Sequence, residues 1–301
     1  MAIGHYIKDI GRGKEGARSI SRAQAADLMG QILDAQVSDL ELGAFCIAMR
    51  IKGETPDEMA GFLDAVHQRM QRVHGPADTP VVVLPSYNGA RKLPLLTPLL
   101  ALLLAREGLP VVIHGTATES SRVSAQNVLS ALAITAQTAI TTIASGEVQF
   151  IPTATIHPQL QRLLEVRYTL NLRNSAHSLV KLLAPCAAAH VLVSSYTHPE
   201  YADSMAATLQ AMGTTALLLR GTEGEAVADP RRCPRMQAVQ AGHCEELEPR
   251  QEGSLAHLPD LPTDIGPEAT AAYTRAVLDG TLPVPAPIAR QVQHTVALAR
   301  R

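Results

Sequence analysis

The residues with the most chemical content in this chain are Pro85-Ser86-Tyr87-Asn88-Gly89-Ala90-Arg91-Lys92, between the apolar run 81–84 and the Leu-rich run 93–104. A buried strand feeding a loop and then a helix aims free backbone N–H groups and a helix dipole at one point, which is where α/β proteins bind anions. Arg91 and Lys92 add side-chain charge to those donors. Gly89 is the loop's only glycine, too few for a backbone that wraps a phosphate closely. The implied chemistry is polyanion contact, with a phosphorylated substrate held for conversion or a polymer gripped along its backbone.

Further cations fall in two segments whose charge is hidden by the overall balance of −2. Residues 1–22 carry Lys8, Arg12, Lys14, Arg18 and Arg22 against Asp9 and Glu15, and residues 152–186 carry Arg162, Arg167, Arg173 and Lys181 against Glu165. The acids collect instead in residues 245–268. A chain that is nearly neutral overall still presents a cationic face if its basic segments converge; a solvated charged surface is the alternative. Arg12 and Lys14 lie in a Gly-Arg-Gly-Lys turn suited to a close phosphate, Tyr87 is a candidate to stack on a base, and His157 and His177 are candidates for hydrogen bonds inside the fold.

The elements that must position these residues are legible from punctuation. Ser21-Arg22-Ala23-Gln24, Ser38-Asp39-Leu40-Glu41 and Thr55-Pro56-Asp57-Glu58 are capping boxes, each followed by apolar residues on one helical face. They predict a small N-terminal helical bundle over residues 1–78, whose apolar face needs a partner surface. From residue 80 the pattern changes to apolar strands alternating with helices: strand 81–84, helix 95–106, strand 110–113, helix 121–132, and later strand 190–193, helix 199–212 and strand 215–219. That predicts an α/β domain over residues 79–301 with a mostly parallel sheet flanked by helices. The helical segment 158–183 interrupts it, and residues 158–185 are expected to pack with the first domain. After Arg220 frequent prolines leave room for one strand at 235–239, with helices resuming at 268–278 and 287–299. No apolar segment suits a signal peptide or a membrane span, and the cysteines predict reduced thiols in the cytoplasm. Cys233, His243 and Cys244 lack an evident fourth ligand for a tetrahedral metal.

Gln149-Phe150-Ile151-Pro152-Thr153-Ala154-Thr155-Ile156-His157-Pro158, followed by Val166-Arg167 and Leu172-Arg173-Asn174, resembles the anthranilate phosphoribosyltransferases of glycosyltransferase family 3. The resemblance spans the chain and implies a helical domain joined to an α/β domain, with dimerisation through the former. It departs at the chemistry. The family's Gly-Thr-Gly-Gly-Asp loop is replaced by Pro85-Ser86-Tyr87-Asn88-Gly89, only His114 and Gly115 remain of the next loop, and Ala226 and Val227 stand where the family has its magnesium-holding Asp-Glu. Ala and Val offer no ligand; Glu223 and Glu225 would be the residues of a displaced metal site.

Ile10-Gly11-Arg12-Gly13-Lys14, Arg50-Ile51-Lys52-Gly53-Glu54, residues 85–92, Arg173-Asn174-Ser175-Ala176-His177, His198-Pro199-Glu200-Tyr201 and Gly221-Thr222-Glu223-Gly224-Glu225 resemble a non-catalytic branch of that family. This resemblance implies a cytoplasmic homodimer that binds single- or double-stranded nucleic acid with little sequence preference, without cofactor or catalytic residue. Arg12, Lys14, Tyr87, Asn88, Arg91, Lys92, His114, Arg167, Arg173, His177 and Lys181 are the expected nucleic-acid and phosphate contacts. Two readings stay open beside it: a phosphoribosyltransferase of altered substrate range using Mg²⁺ at Glu223 or Glu225, and a regulator that holds a nucleotide or small phosphate in the old cleft.

Overall fold

A computed structural model describes residues 3–13, 15–253 and 259–301, so Lys14 lies outside the described residues. Helices α1 (Gly4–Ile10), α2 (Arg22–Leu33), α3 (Asp39–Lys52) and α4 (Pro56–Arg69) come first. Then follow β1 (Val81–Ser86), α5 (Thr97–Arg106), β2 (Val111–Gly115), α6 (Ala125–Ala131) and β3 (Val148–Pro152). After α7 (Thr153–Ile156), α8 (Pro158–Leu170) and α9 (Ala176–Leu179), the chain continues with β4 (His190–Tyr196), α10 (Glu200–Ala211) and β5 (Ala216–Arg220). It ends with β6 (Met236–Gln240), β7 (His243–Glu248), α11 (Pro267–Leu278) and α12 (Ala286–Ala299). Two compact units result, one of Met1–Gln71 with Thr153–Leu183, the other of Arg72–Pro152 with Ala184–Arg301.

In the helical unit all three capping boxes form, each with both reciprocal hydrogen bonds. Helices α2 and α4 approach closely because Gly61 has no Cβ; one placed there would lie 2.2 Å from the carbonyl oxygen of Arg22. Bidentate pairs of Arg22 with Asp64 and of Arg69 with Asp34 clamp the same two helices, with the shortest contacts at 2.6 and 2.8 Å. Phe45 and Phe62 meet edge to face in the core beneath.

Glu58 does more than cap a helix. Its fully buried carboxylate accepts from the backbone N–H of Ile20 at 3.0 Å and of Thr55 at 2.8 Å, and pairs with Lys52 Nζ at 2.6 Å. Removing one partner of a buried pair strands the other charge, so Glu58→Ala is expected to cost about 3–5 kcal/mol. Urea unfolding checks this, and a loss below about 1 kcal/mol would show the pair contributes little beyond a surface one.

The α/β unit is built on a seven-stranded sheet in the order β3-β2-β1-β4-β5-β6-β7. Strands β1 to β5 are parallel, and β6 and β7 continue the sheet antiparallel. Every residue of β1 is buried, as expected of a parallel strand covered on both faces. The chain leaves β1 toward β2 and β3 on one side and returns to β4 and β5 on the other. The carboxyl ends of β1 and β4 therefore flank a topological switch point, the position at which open α/β sheets place ligands.

Three elements differ from the sequence reading. Strand β7, His-Cys-Glu-Glu-Leu-Glu, falls in the acidic stretch read as irregular; it is an edge strand with mostly exposed side chains, so it lacks the apolar alternation of a half-buried strand. The helical segment expected over 158–183 is divided into α8 and α9, the break falling at Asn171, which takes a left-handed conformation at φ 53°. The helix expected from residue 121 begins only at Ala125, behind a Ser124–Asn127 capping box.

Candidate functional site

The loop after β1 reaches the switch point with its N–H groups turned inward, and the segment after β5 supplies what they bind. Glu225, 1% exposed, accepts hydrogen bonds from Ser86 Oγ at 2.5 Å, the backbone N–H of Asn88 at 2.7 Å and of Gly89 at 2.8 Å, and Thr97 Oγ1 at 3.3 Å. Glu223 accepts from the backbone N–H of Arg91 at 2.8 Å, Lys92 at 3.1 Å and Leu93 at 3.4 Å. The anion-binding donors anticipated for this loop are thus satisfied by two carboxylates of the protein itself.

This fit requires an unusual backbone. Glu223 sits in the left-handed region at φ 51°, a conformation that costs a non-glycine residue free energy and persists where surrounding contacts enforce it. Gly224 follows at φ +90°, and a Cβ there would lie 1.9 Å from Asn88 Nδ2, which donates to the Glu223 carbonyl at 3.0 Å. Ser195 Oγ, from β4, donates to the Gly224 carbonyl at 3.0 Å.

Tyr87, Asn88 and His114 are buried. The Tyr87 hydroxyl and His114 Nδ1 share a hydrogen bond of 2.8 Å, while Thr118 Oγ1 donates to the Tyr87 carbonyl at 2.6 Å and Arg122 to that of Asn88 at 3.3 Å. Expected as ligand contacts, these three side chains instead hold loops to one another, and the Tyr87 ring has no open face on which a base would stack. Between the loops after β1 and β2 the remaining cavity is about 10 Å³. That is room for roughly one water molecule. Arg91 and Lys92 differ: their side chains are exposed and have no ion pair among the described residues.

The phosphoribosyltransferase resemblance implies Mg²⁺, and the residues present do not fit it. Ala226 and Val227 are buried and carry no ligand atom. A carboxylate ringed by N–H and O–H donors, as Glu225 is, meets the positive ends of four dipoles, a setting that repels a cation. Among the described residues no group of three or more His, Cys, Asp or Glu side chains is placed to hold a metal. His243 and Cys244 are consecutive on β7, so their side chains point to opposite faces.

The remaining candidates belong to the helical unit. Arg12 is exposed on the turn after α1, donating to the Lys8 carbonyl at 3.1 Å and pairing with Asp9 at 3.5 Å. Arg167, on α8, and Arg173 are half-buried beside His177, and Lys181 follows α9, also half-buried. The buried His177 receives the backbone N–H of Asn174 at Nδ1, and its Nε2 has no hydrogen-bond partner. Burial first, and then Arg173, Arg167 and Arg50, push the imidazole down to about 4. His157 is also displaced downward, by burial first and then by Arg69, and it caps α8.

The depressed His177 has a consequence for stability. The unfolded imidazole binds a proton below about pH 6.5 that the folded one refuses until about pH 4, so stability is complete above that window and is lost on acidification through it, by up to ~1.4 kcal/mol per pH unit. His177→Gln is expected to flatten this part of the profile. Urea midpoints of both proteins at pH 7, 6 and 5 decide the matter, and parallel profiles would contradict it.

Sequence reasoning missed Ser86, Thr97, Thr118 and Arg122 as members of the β1 loop's network. Thr97 carried one signal, since it stands beside Pro98 at the start of a helix pointing at the loop.

Residues 5–70 match the family described as glycosyl transferase family, helical bundle domain. The chain is 29% identical over 270 residues to the anthranilate phosphoribosyltransferase of Methylocella silvestris, covering 87% of this chain and 76% of that protein. The crystal structure of anthranilate phosphoribosyltransferase from Thermus thermophilus superposes with a TM-score of 0.73 at 24% identity, over 98% of this chain and 93% of the other. The chain belongs to the anthranilate phosphoribosyltransferase-like branch of glycosyltransferase family 3. Within it the chain is 40% identical over 290 residues to the uncharacterized protein YbiB of Escherichia coli, covering 93% of this chain and 88% of YbiB.

Proposed function

We propose that this protein is a non-catalytic, cytoplasmic homodimer that binds single- or double-stranded nucleic acid with little sequence preference. One observation carries the reading: the donors that would hold a sugar diphosphate are occupied by Glu223 and Glu225, while the cations of the same loop, Arg91 and Lys92, stay exposed. A loop sealed in this way has no space for a substrate to be converted, yet it retains charge for phosphates that pass over its surface. Backbone phosphate contacts supply affinity without reading bases, which is the recognition expected of exposed Arg and Lys lacking a stacking aromatic. The helical unit carries further cations of its own, Arg12 exposed and Arg167, Arg173 and Lys181 half-buried.

Self-association draws support from apolar exposure on the helical unit. Leu40 is 84% exposed, Ile51 58% and Tyr168 57%, three large apolar side chains that a second copy would cover. A two-fold dimer presents each basic patch twice.

The test is binding to unrelated single- and double-stranded oligonucleotides over a salt series. Electrostatic polymer binding gives log K falling linearly with log salt, by about 0.9 for each phosphate neutralised on duplex DNA. Absent or salt-insensitive binding rejects the proposal. Phosphoribosyl diphosphate with Mg²⁺ is expected to leave Tm unchanged; a clear rise would favour the altered transferase, because any ligand of the native state stabilises it.

A further inference from the structure

A second space in the α/β unit lies at the carboxyl ends of β4 and β5 and measures about 600 Å³. Small-molecule sites commonly span ~300–1,000 Å³. Five arginines line it, Arg220, Arg231, Arg232, Arg235 and Arg250, against the carboxylates Asp203, Glu223 and Asp229 of the lining and Glu246 paired with Arg235, leaving an excess of one positive charge. Two of the guanidiniums are held in place, Arg231 by Asp229 at 2.9 Å and Arg235 by Glu246. Arg232 donates to the Gly253 carbonyl at 2.9 Å. Arg220 and Arg250 are exposed and have no such partner among the described residues.

The floor carries a hydrogen-bonding group that a ligand can reach. Tyr196, the last residue of β4, lines the cavity at 5% exposure, and its hydroxyl has no hydrogen-bond partner among the described residues. The hydroxyl is not itself sealed from solvent, so it is free to donate to a ligand oxygen that enters the cavity. Burial raises the Tyr196 pKa even though Arg235 and Arg220 lie close enough to oppose the rise. Leu93, Pro199, Ala202 and Pro234 supply apolar wall beside the charges.

We propose that this cavity binds a nucleoside 5′-phosphate, free or as the phosphorylated end of a strand. A phosphomonoester carries about −1.5 to −2 charges at neutral pH, opposite in sign to the lining's excess, and guanidinium forks match its oxygens bidentately. The volume and the apolar wall exceed what a bare phosphate fills and suit an attached ring. The side chains of Arg91 and Lys92 are not part of the lining, although the cavity adjoins their loop through Leu93 and Glu223.

Calorimetric titration of the full chain with AMP, UMP, adenosine and inorganic phosphate tests this, beside matched short oligonucleotides with 5′-phosphate or 5′-hydroxyl ends. AMP, UMP or the 5′-phosphorylated strand is expected to bind at least tenfold more tightly than adenosine or inorganic phosphate. Arg220→Ala is expected to weaken that binding about tenfold and Tyr196→Phe several-fold, with Tm unchanged in both. A preference for the 5′-phosphorylated strand that Arg220→Ala abolishes identifies the strand end as the source; AMP binding without that preference identifies the free nucleotide. The proposal fails if no phosphorylated ligand shows binding that depends on Arg220, or if inorganic phosphate or adenosine binds as tightly as AMP. Loss of polymer binding in an Arg91/Lys92 variant with AMP binding retained would keep the two sites distinct.

Discussion

Replacing Glu225 by alanine is expected to destabilise the protein by about 3–5 kcal/mol, among the largest effects a single substitution produces. The carboxylate receives four donors in a place from which water is excluded. Its removal orphans two main-chain N–H groups and two hydroxyls at once, and each unsatisfied buried donor costs about 1–3 kcal/mol before relaxation. Glu225→Gln is expected to fall between, because the amide keeps one acceptor oxygen but sets an NH₂ against N–H groups of the loop. Urea unfolding measures both. Formate should raise the Tm of Glu225→Ala more than that of the wild type, since the vacated donors accept a small anion. A neutral Glu225→Ala would show that the loop keeps its shape without its internal anion, and the account of a sealed site would fall.

The second large effect concerns binding. Replacing Arg91 and Lys92 together by alanine is expected to lower the salt slope of nucleic-acid binding by about 2, one contact for each cation. The loss should be the same on every sequence tested, because phosphate contacts carry no base information. The variant should fold normally: both side chains are exposed, and the loop contacts they contribute to Glu223 are made by backbone N–H groups that alanine retains. Fluorescence anisotropy with two unrelated oligonucleotides over a salt series reads both quantities. A loss confined to one sequence contradicts backbone recognition, and an unchanged slope removes these residues from the interface.

Much of the fold was legible because its signals are local. A capping box spans four residues, and Ser21, Ser38 and Thr55 each announced a helix that forms with both reciprocal bonds. The alternation of apolar strands with helices likewise pointed to a mostly parallel sheet, since a parallel connection needs a crossover. Strand β7 escaped because its own residues are acidic and exposed; its pairing with β6, and not its composition, makes it a strand. The end of α8 escaped because its mark is the single residue Asn171, a left-handed helix end that apolar periodicity does not show.

By itself the sequence determined the class of this protein and the position of an anion-seeking loop after β1, and the resemblance set Ala226 and Val227 where a metal-binding pair would be expected. Only the tertiary structure decided what the loop holds. Glu225 lies 137 residues beyond Asn88 in the chain, and no spacing rule joins a donor to an acceptor over that distance. Parallel strand order sets β4 between β1 and β5, the close turn at Gly224 brings Glu223 and Glu225 back across it, and the carboxylates read as a displaced metal site become the loop's own anions. The same folding turns Tyr87 and His114 inward upon each other and leaves Arg91 and Lys92 outside, because buried donors must find acceptors whereas long charged side chains remain solvated at the surface.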